Sequence, residues 1–244
     1  MPEGPSLVIA KELMLPFKGK KIKAVTGNTK IGKERLLNKK LLDIRTWGKH
    51  LLFCFNGFTV RVHFLMFGTY YINDTKDAVP RLSMQFAKGE INLYTCAVKL
   101  IEEPLDEIYD WSADVLSDTW DEKAARKKLK AMPNLLVTDV LLDQTIFSGV
   151  GNIIKNEVLY RIRVHPRSSV GSLPPRKLTE LIREARNYSF DFLKWKKEYT
   201  LKKHWLVHTK KTCQRDGDKI NKEYLGTTGR RTFFCNSCQK HYEK

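Results

Sequence analysis

The spacing of hydrophobic and polar residues changes near the middle of the chain. In residues 41–55 and 58–72, apolar and polar positions largely alternate, and Asn56-Gly57 lies between these two segments. Alternation predicts strands, and Asn-Gly is the strongest short signal for the turn between two antiparallel strands. One short helix is expected near the start, with Ser6 as its candidate N-cap. The first half is therefore predicted to be a β domain.

Downstream, the apolar residues recur at helical spacing. This pattern predicts helices over residues 120–131, 137–147, 153–160 and 176–195. The final part of the chain returns to short β-like runs around its cysteines. Such runs are too few to bury a core by themselves, so we expect a metal ion to hold them.

An acidic stretch separates the two patterns. Residues 101–120 contain no Lys or Arg but seven Asp and Glu residues, which is typical of a solvated linker. We place a domain boundary near residue 115. The predicted domains are residues 1–115, a β domain, residues 116–200, a helical domain, and residues 201–244, a small finger around the cysteines.

Composition excludes several classes of protein. Hydrophobic residues make up 42% of the chain and charged residues 29%, as in ordinary globular proteins rather than disordered or fibrous ones. No segment approaches the roughly 18 apolar residues of a membrane span. The first residues lack the basic segment and cleavage site of a signal peptide. We therefore expect an intracellular, cytoplasmic protein without a membrane partner.

The charge balance indicates the kind of partner. Lys and Arg number 44 against 27 Asp and Glu, which gives a net charge of +17. Residues 1–120 hold 17 basic and 14 acidic side chains, whereas residues 121–244 hold 27 and 13. A basic surface of this strength favours a polyanion such as nucleic acid, bound mainly through the second half.

The start of the chain is a candidate nucleophile. Removal of Met1 would leave Pro2 with a free secondary amine, whose pKa near 8 leaves it far less protonated at neutral pH than a lysine. Such an amine can attack a sugar C1′ and form an iminium ion, and Glu3 beside it could move the protons. By itself, a Met-Pro-Glu start is most often a coincidence.

Two further motifs could bind phosphate and metal. Residues 142–153 end in Gly149-Val150-Gly151-Asn152, so a helix beginning at Asn152 could present backbone N–H groups to a phosphate, although an ordinary helical hairpin reads the same way. Near the end of the chain, Cys213-x2-Asp216 and Cys235-x2-Cys238 have the spacing of a zinc ribbon with Asp in one cysteine's place. The competing candidates for the fourth ligand are His208 and His241.

Together these motifs resemble the formamidopyrimidine-DNA glycosylase and endonuclease VIII family over the whole chain. The resemblance consists of the Met-Pro-Glu-Gly-Pro start, a hairpin lysine, Gly-Val-Gly-Asn and the ending Thr-Phe-Phe-Cys-x2-Cys-Gln. It implies an N-terminal β-sandwich, a helix-two-turns-helix domain and a zinc finger with one structural Zn²⁺. It also implies a base-excision repair enzyme that flips a damaged base out of double-stranded DNA, cleaves its glycosidic bond and nicks the strand by β,δ-elimination. We expect it to act as a monomer.

The resemblance assigns roles to individual residues. Pro2 matches the nucleophile, Glu3 the general acid/base and Lys49 the hairpin lysine that binds the phosphate at the lesion. Further residues match DNA contacts of the family or its metal site; these are His63, Asn152, Arg230 and His208 for DNA, and Cys213, Asp216, Cys235 and Cys238 for zinc. His208 lies where many relatives carry a tyrosine, which favours a DNA contact over a zinc ligand.

The sequence also departs from the family pattern. Ser6 replaces a glutamate, and residues 94–100 lack the Pro-Arg-Arg-Phe-Gly type of segment with which the formamidopyrimidine branch fills the space left by a flipped base. This favours the endonuclease VIII-like branch, and Leu65, Met66 and Phe67 become the candidates for filling that space.

Three functions are compatible with these observations. The favoured one is a bifunctional DNA glycosylase and apurinic/apyrimidinic lyase acting on oxidised pyrimidines. The second keeps the mechanism but acts mainly on oxidised purines, and the third is a zinc-bearing DNA-binding protein without catalytic activity. The joint presence of Pro2, Glu3 and Lys49 argues against the third, because a binding protein needs none of them.

Overall fold

The chain divides into two units, Met1–Asp110 and Trp111–Lys244, in a computed structural model that describes residues 2–243. The first unit contains the β domain expected from the alternating pattern. The second holds the predicted helical region together with the cysteine-containing segment. No helix among the described residues is both long enough and apolar enough to cross a membrane.

Within residues 2–110, the first unit contains two α-helices and six strands. They are α1 (Gly4–Met14), β1 (Ile22–Thr26), β2 (Asp43–Trp47), β3 (His50–Phe55), β4 (Phe58–Ile72), β5 (Leu82–Phe86), β6 (Glu90–Ile101) and α2 (Leu105–Ile108). The strands form one antiparallel sheet in the order β1-β5-β6-β4-β3-β2.

Two long strands bend this sheet into a sandwich. Residues 59–64 of β4 pair with residues 96–101 of β6, and after an irregularity residues 69–72 pair with residues 91–94. Irregularities of this kind bend strands and increase their twist. Buried side chains from both halves of the sheet, such as Val62 and Leu93, belong to one hydrophobic core. The expected N-terminal β-sandwich is confirmed.

The predicted first hairpin is correct at its turn but wrong in one strand. Asn56-Gly57 joins β3 to β4, and Gly57 has the positive φ of 82° that such a turn requires. The single strand predicted over residues 41–55 is instead two strands, because a second tight turn interrupts it at Gly48, where φ is 51°. This extra turn carries Lys49.

The first helix begins earlier than predicted. Its N-cap is Glu3 rather than Ser6, and Pro5 lies in its first turn. Proline is favoured there because it lacks the N–H that would have no helical partner, and its fixed φ suits a helix. Consequently, the candidate acid/base Glu3 lies at the start of α1 and is buried, with 3% of its surface exposed.

In the described part of the second unit, residues 111–243, there are four α-helices and a two-stranded sheet. They are α3 (Glu122–Lys130), α4 (Val137–Val140), α5 (Asn152–Arg161), α6 (Pro175–Lys197), β7 (Asn221–Leu225) and β8 (Arg230–Phe234). Helices α3, α5 and α6 surround a second hydrophobic core that includes Leu129, Val158 and Leu181. Helical spacing thus identified this region correctly.

The prediction of one helix over residues 137–147 is wrong, since α4 ends at Val140 and turns follow. Side chains in this segment bond to the backbone in place of helical hydrogen bonds. Asp143 accepts from the backbone N–H of Thr145 at 2.8 Å, and Gln144 accepts from Gly149 and donates to Val150. Such local bonds compete with helix formation, which explains the early end.

The turn between β7 and β8 contacts Asp139 of α4, and two glycines in this turn allow that contact to be tested. Gly226 and Gly229 both have positive φ, but a Cβ at Gly226 would lie 2.1 Å from Oδ1 of Asp139, whereas a Cβ at Gly229 would meet nothing within 4 Å. Asp139 Oδ1 also accepts from the backbone N–H of Thr227 at 2.8 Å.

We predict that Gly229→Ala lowers the free energy of unfolding by about 1 kcal/mol through backbone strain alone. Gly226→Ala should cost at least about 1 kcal/mol more, because it also displaces Asp139 from its hydrogen bonds. Chemical denaturation of the two variants and the wild-type chain measures the difference. Equal losses would show that the Asp139 contact contributes nothing to stability.

Candidate functional site

The candidate catalytic residues of the first unit lie on elements that pack together. Pro2 and Glu3 come directly before α1, and α1 packs against β2 and β3. The turn between these two strands carries Lys49. The fold therefore joins the start of the chain and the hairpin lysine through directly packed elements. Met1 lies outside the described residues.

Next to this turn is a cluster of aromatic and imidazole rings that the sequence analysis found only in part. His63 on β4 lies opposite His50 on β3, with their ring centroids 5.5 Å apart. His50 Nδ1 is 3.1 Å from the hydroxyl oxygen of Tyr109, and the indole of Trp47 packs 4.9 Å from the Tyr109 ring. His63 was predicted, whereas His50 and Tyr109 were missed.

Burial and positive charge keep these imidazoles neutral. Burial, followed by the nearby charges of Arg61, His63 and Lys49, lowers the pKa of His50 from 6.5 to about 3. The pKa of His63 is also lowered, first by burial and then by Lys49 and Arg61.

The candidate space-filling residues are exposed. They occupy the irregularity in β4, where Leu65 is 45% exposed, Met66 57% and Phe67 77%. Large apolar side chains in a row are unusual on a free surface and typical of a binding surface. Residues 94–100, in contrast, form part of the continuous strand β6, so no additional loop arises there.

In the second unit, α5 and β8 are joined by hydrogen bonds between successive residues, which we call the α5–β8 interface. Asn152 Nδ2 donates to the carbonyl of Arg231 at 2.9 Å, and Lys155 Nζ donates to Oγ1 of Thr232 at 2.8 Å. Lys155 is fully buried. The predicted DNA contact Asn152 therefore uses one of its two Nδ2 hydrogens to bond the strand that begins with Arg230.

Arg230 is the exposed first residue of β8. The ring of His208 lies 5.2 Å from the ring of Phe233, which belongs to the same strand. Its Nδ1 atom is 3.0 Å from Nδ2 of Asn156. His208 therefore contacts one residue of α5 and one of β8.

The four predicted metal ligands come together. One ligand atom from each of Cys213, Asp216, Cys235 and Cys238 lies within 4.8 Å of the others. The Sγ atoms of Cys213 and Cys238 are 3.7 Å apart, and Asp216 Oδ2 is 3.3 Å from Sγ of Cys235. Tetrahedral Zn²⁺ with Zn–S bonds near 2.3 Å needs sulfur atoms about 3.8 Å apart. The donor set and its spacing thus fit zinc.

The two competing ligands lie elsewhere. His208 contacts Asn156, and Nδ1 of His241 pairs with the carboxylate of Glu243 at 2.6 Å. Neither belongs to the cluster of four. The hydroxyl of Tyr160 lies 3.1 Å from Sγ of Cys213, so α5 also contacts the metal-binding cluster through an outer residue.

Comparison with known proteins agrees with this geometry. The family model described as the formamidopyrimidine-DNA glycosylase N-terminal domain matches residues 1–98, and that of the formamidopyrimidine-DNA glycosylase H2TH domain matches residues 112–189. The combination of a β-sandwich, this helical domain and a cysteine cluster defines the class of DNA glycosylases with this fold. The chain belongs to the formamidopyrimidine-DNA glycosylase and endonuclease VIII family.

Individual relatives share about a third or less of their aligned residues with this chain. Endonuclease 8-like 3 of Xenopus laevis is 33% identical over 210 residues, which cover 81% of this chain and 34% of the relative. Formamidopyrimidine-DNA glycosylase of Pelotomaculum thermopropionicum is 28% identical over 238 residues, which cover 85% of this chain and 84% of the relative. The chain thus spans about a third of the endonuclease 8-like 3 proteins it matches.

A solved structure shows the same fold. The formamidopyrimidine DNA glycosylase of Lactococcus lactis, bound non-covalently to DNA that contains an AP site, superposes with a TM-score of 0.84. It is 24% identical, and the match covers 98% of this chain and 99% of that one.

The lowered pKa of His50 generates a prediction about stability. In the unfolded chain His50 takes up a proton near pH 6.5, whereas in the folded chain it resists protonation until about pH 3. Its contribution to stability is therefore complete above pH 6.5 and is lost as the pH falls through this interval. His50→Gln should make the free energy of unfolding fall less steeply between pH 6.5 and pH 4. Denaturation curves at several pH values measure this slope, and an unchanged slope would contradict a neutral, buried His50.

Proposed function

We propose that this chain is a bifunctional DNA glycosylase and apurinic/apyrimidinic lyase that removes oxidised bases, preferably pyrimidines, from double-stranded DNA as a monomer. The observation that carries the proposal is the placement of Pro2 and Glu3 at the start of a helix packed on the two strands whose turn bears Lys49. The preference for pyrimidines is supported by the continuous strand at residues 94–100, which lacks the Pro-Arg-Arg-Phe-Gly type of segment that the resemblance assigns to the formamidopyrimidine branch.

The proposed chemistry starts at the amine of Pro2. With Met1 removed, the unprotonated nitrogen attacks C1′ of the damaged nucleotide, and the bond from C1′ to the base breaks with the base leaving protonated. Loss of the nitrogen's proton and opening of the sugar give an iminium ion, which makes the C2′ proton acidic. Removal of that proton expels the 3′ phosphate, a second elimination expels the 5′ phosphate, and water releases the sugar remnant. Glu3 transfers protons in these steps.

The proposed DNA contacts use residues of both units. In the first unit, Lys49 and His63 bind phosphate near the lesion, and the exposed Leu65, Met66 and Phe67 fill the space left by the flipped nucleotide. Inserting apolar side chains offsets part of the few kcal/mol that unstacking costs. In the second unit, Asn152, His208 and the exposed Arg230 bind backbone phosphates.

We further propose that Cys213, Asp216, Cys235 and Cys238 hold one structural Zn²⁺. The support is the close approach of their ligand atoms and the exclusion of both histidines from the cluster. The ion would be structural rather than catalytic, because a site with four protein ligands leaves no open position for substrate. Its role would be to stabilise the β7–β8 hairpin.

The nucleophile is tested by borohydride trapping, which reduces the iminium ion to a stable protein–DNA adduct. Mass spectrometry should first show that Met1 is absent from the purified protein. We expect adducts with an abasic site, with thymine glycol and with 5-hydroxyuracil, and fewer with 8-oxoguanine. Pro2→Gly should retain weaker trapping through its primary amine, whereas a tag that blocks the N-terminus should abolish it.

Glu3→Gln is the matched control for this experiment. It should keep the amine and trap the abasic site but lose about 100-fold or more of base removal, which needs general acid assistance. Full activity with a blocked N-terminus would overturn the role of Pro2. A preference for 8-oxoguanine would favour the alternative substrate class, and DNA binding without any adduct would favour a catalytically inactive binding protein.

The metal site is tested by zinc content and stability. We expect one zinc ion per wild-type chain, retained in Asp216→Cys with tighter affinity because thiolate is the softer ligand. Asp216→Ala should bind zinc more weakly by about tenfold or more, and its melting temperature should become sensitive to chelators.

His208→Ala is the control, because it removes the competing candidate without touching the cluster. Zinc that survives in Asp216→Ala but is lost in His208→Ala would reverse the assignment of the fourth ligand. A wild-type protein without zinc would show that packing alone holds this segment.

A further inference from the structure

The segment before the metal-binding cluster is fixed by one buried carboxylate. Glu157 on α5 is fully buried and accepts hydrogen bonds from three consecutive backbone N–H groups, those of Leu206 at 2.9 Å, Val207 at 3.0 Å and His208 at 2.8 Å. Three bonds to one side chain determine the backbone path at this point. These bonds therefore fix where the backbone of His208 lies relative to α5.

The neighbouring residue of α5 determines the protonation pattern of that ring. Oδ1 of Asn156 accepts from the backbone N–H of Phe233 at 3.4 Å, which assigns the other amide atom as Nδ2. Nδ2 can only donate, and it lies 3.0 Å from Nδ1 of His208. Nδ1 must then be the acceptor, so the proton of the neutral imidazole is on Nε2.

Aromatic packing fixes the orientation of the ring. The His208 ring meets the Trp205 ring edge-on at 4.8 Å and the Phe233 ring at 5.2 Å. These contacts hold the imidazole plane while Asn156 holds its Nδ1 edge. Nε2, on the opposite edge of the imidazole, consequently points away from Asn156.

The surrounding charges oppose protonation. Burial, followed by the positive charges of Lys155 and Arg231, lowers the pKa of His208 to about 4. Glu157 is the acidic residue facing this segment from α5, and its oxygens are occupied by backbone N–H groups rather than by the ring. The electrostatics thus agree with the hydrogen-bond pattern.

We propose that Asn156 is a positioning residue that holds His208 as a neutral imidazole with its proton on Nε2, ready to donate one hydrogen bond to a DNA phosphate. This inference rests on the proposed function, in which His208 contacts the backbone. A neutral N–H donor then takes the place of the tyrosine hydroxyl that the family resemblance assigns to this position. The contact adds a directed hydrogen bond without adding a positive charge.

The first test is NMR of the free, zinc-loaded protein labelled with ¹⁵N on its histidines. Two-bond ring correlations distinguish the tautomers, and we expect His208 to carry its proton on Nε2 without titrating between pH 5.5 and pH 8. A proton on Nδ1, or a midpoint within this range, would overturn the role of Asn156. This measurement needs no variant and no DNA, so it is independent of the proposed function.

The second test reverses the polarity at Asn156. Asn156→Asp keeps an oxygen acceptor for the Phe233 N–H but replaces the donor to Nδ1 with a carboxylate, which favours a protonated Nδ1. His208 should then titrate at a higher pH, and at pH 6 the slope of log affinity against log salt should increase by about one relative to pH 8. The wild-type chain should lack this additional change. Identical NMR and salt behaviour in the two proteins would overturn the proposal.

The third test separates positioning from DNA contact. His208→Phe preserves ring packing against Trp205 and Phe233 but removes the donor, and it should weaken binding to abasic-site duplex about tenfold or more. Unchanged affinity, combined with the expected tautomer, would remove His208 from the proposed DNA interface. A tenfold loss combined with the opposite tautomer would instead keep the contact and overturn the role of Asn156.

Discussion

The second unit depends on the polar side of α5, which is buried rather than solvated. Asn152, Lys155, Asn156 and Glu157 all find hydrogen-bond partners on segments that follow 49 or more residues later in the chain. A buried ammonium or carboxylate without a partner costs several kcal/mol. Separation of α5 from β8 would deprive these groups of their partners, so it is strongly unfavourable. The helical region and the cysteine-containing segment are consequently one folded unit.

The same arrangement fixes the strand that presents Arg230. Asp139 of α4 holds the turn before it, the α5–β8 interface holds residues 231–233, and the cluster that includes Cys235 follows directly. Each contact restrains a different part of a hairpin that is too small to be stable alone. Buried hydrogen bonds thus stabilise the same short hairpin as the proposed metal site, so the hairpin does not depend on the four candidate ligands alone.

The elements that local pattern determines were predictable from the sequence. The Asn56-Gly57 turn, the helices α3 and α6 and the set of four metal-ligand candidates follow from residue types at short spacing. The break at Gly48 was not predictable, because a tight turn inside an alternating apolar run leaves the alternation almost unchanged. The early end of α4 depends on side-chain to backbone bonds of Asp143 and Gln144, which helical spacing does not register.

The parts of the candidate site that escaped prediction depend on partners distant in the chain. Tyr109 meets His50 across 59 residues, and Asn156 meets His208 across 52. A polar residue inside a helix is most often solvated, so nothing in residues 152–161 distinguishes Asn156 from a surface asparagine. Its role follows from the carbonyl and amide atoms facing different partners, which fixes the amide orientation and through it the tautomer of the imidazole. The family pattern identifies the position of His208, but only this geometry determines its protonation state. In the proposed DNA contact, that state decides whether the residue offers a positive charge or a single directed hydrogen bond.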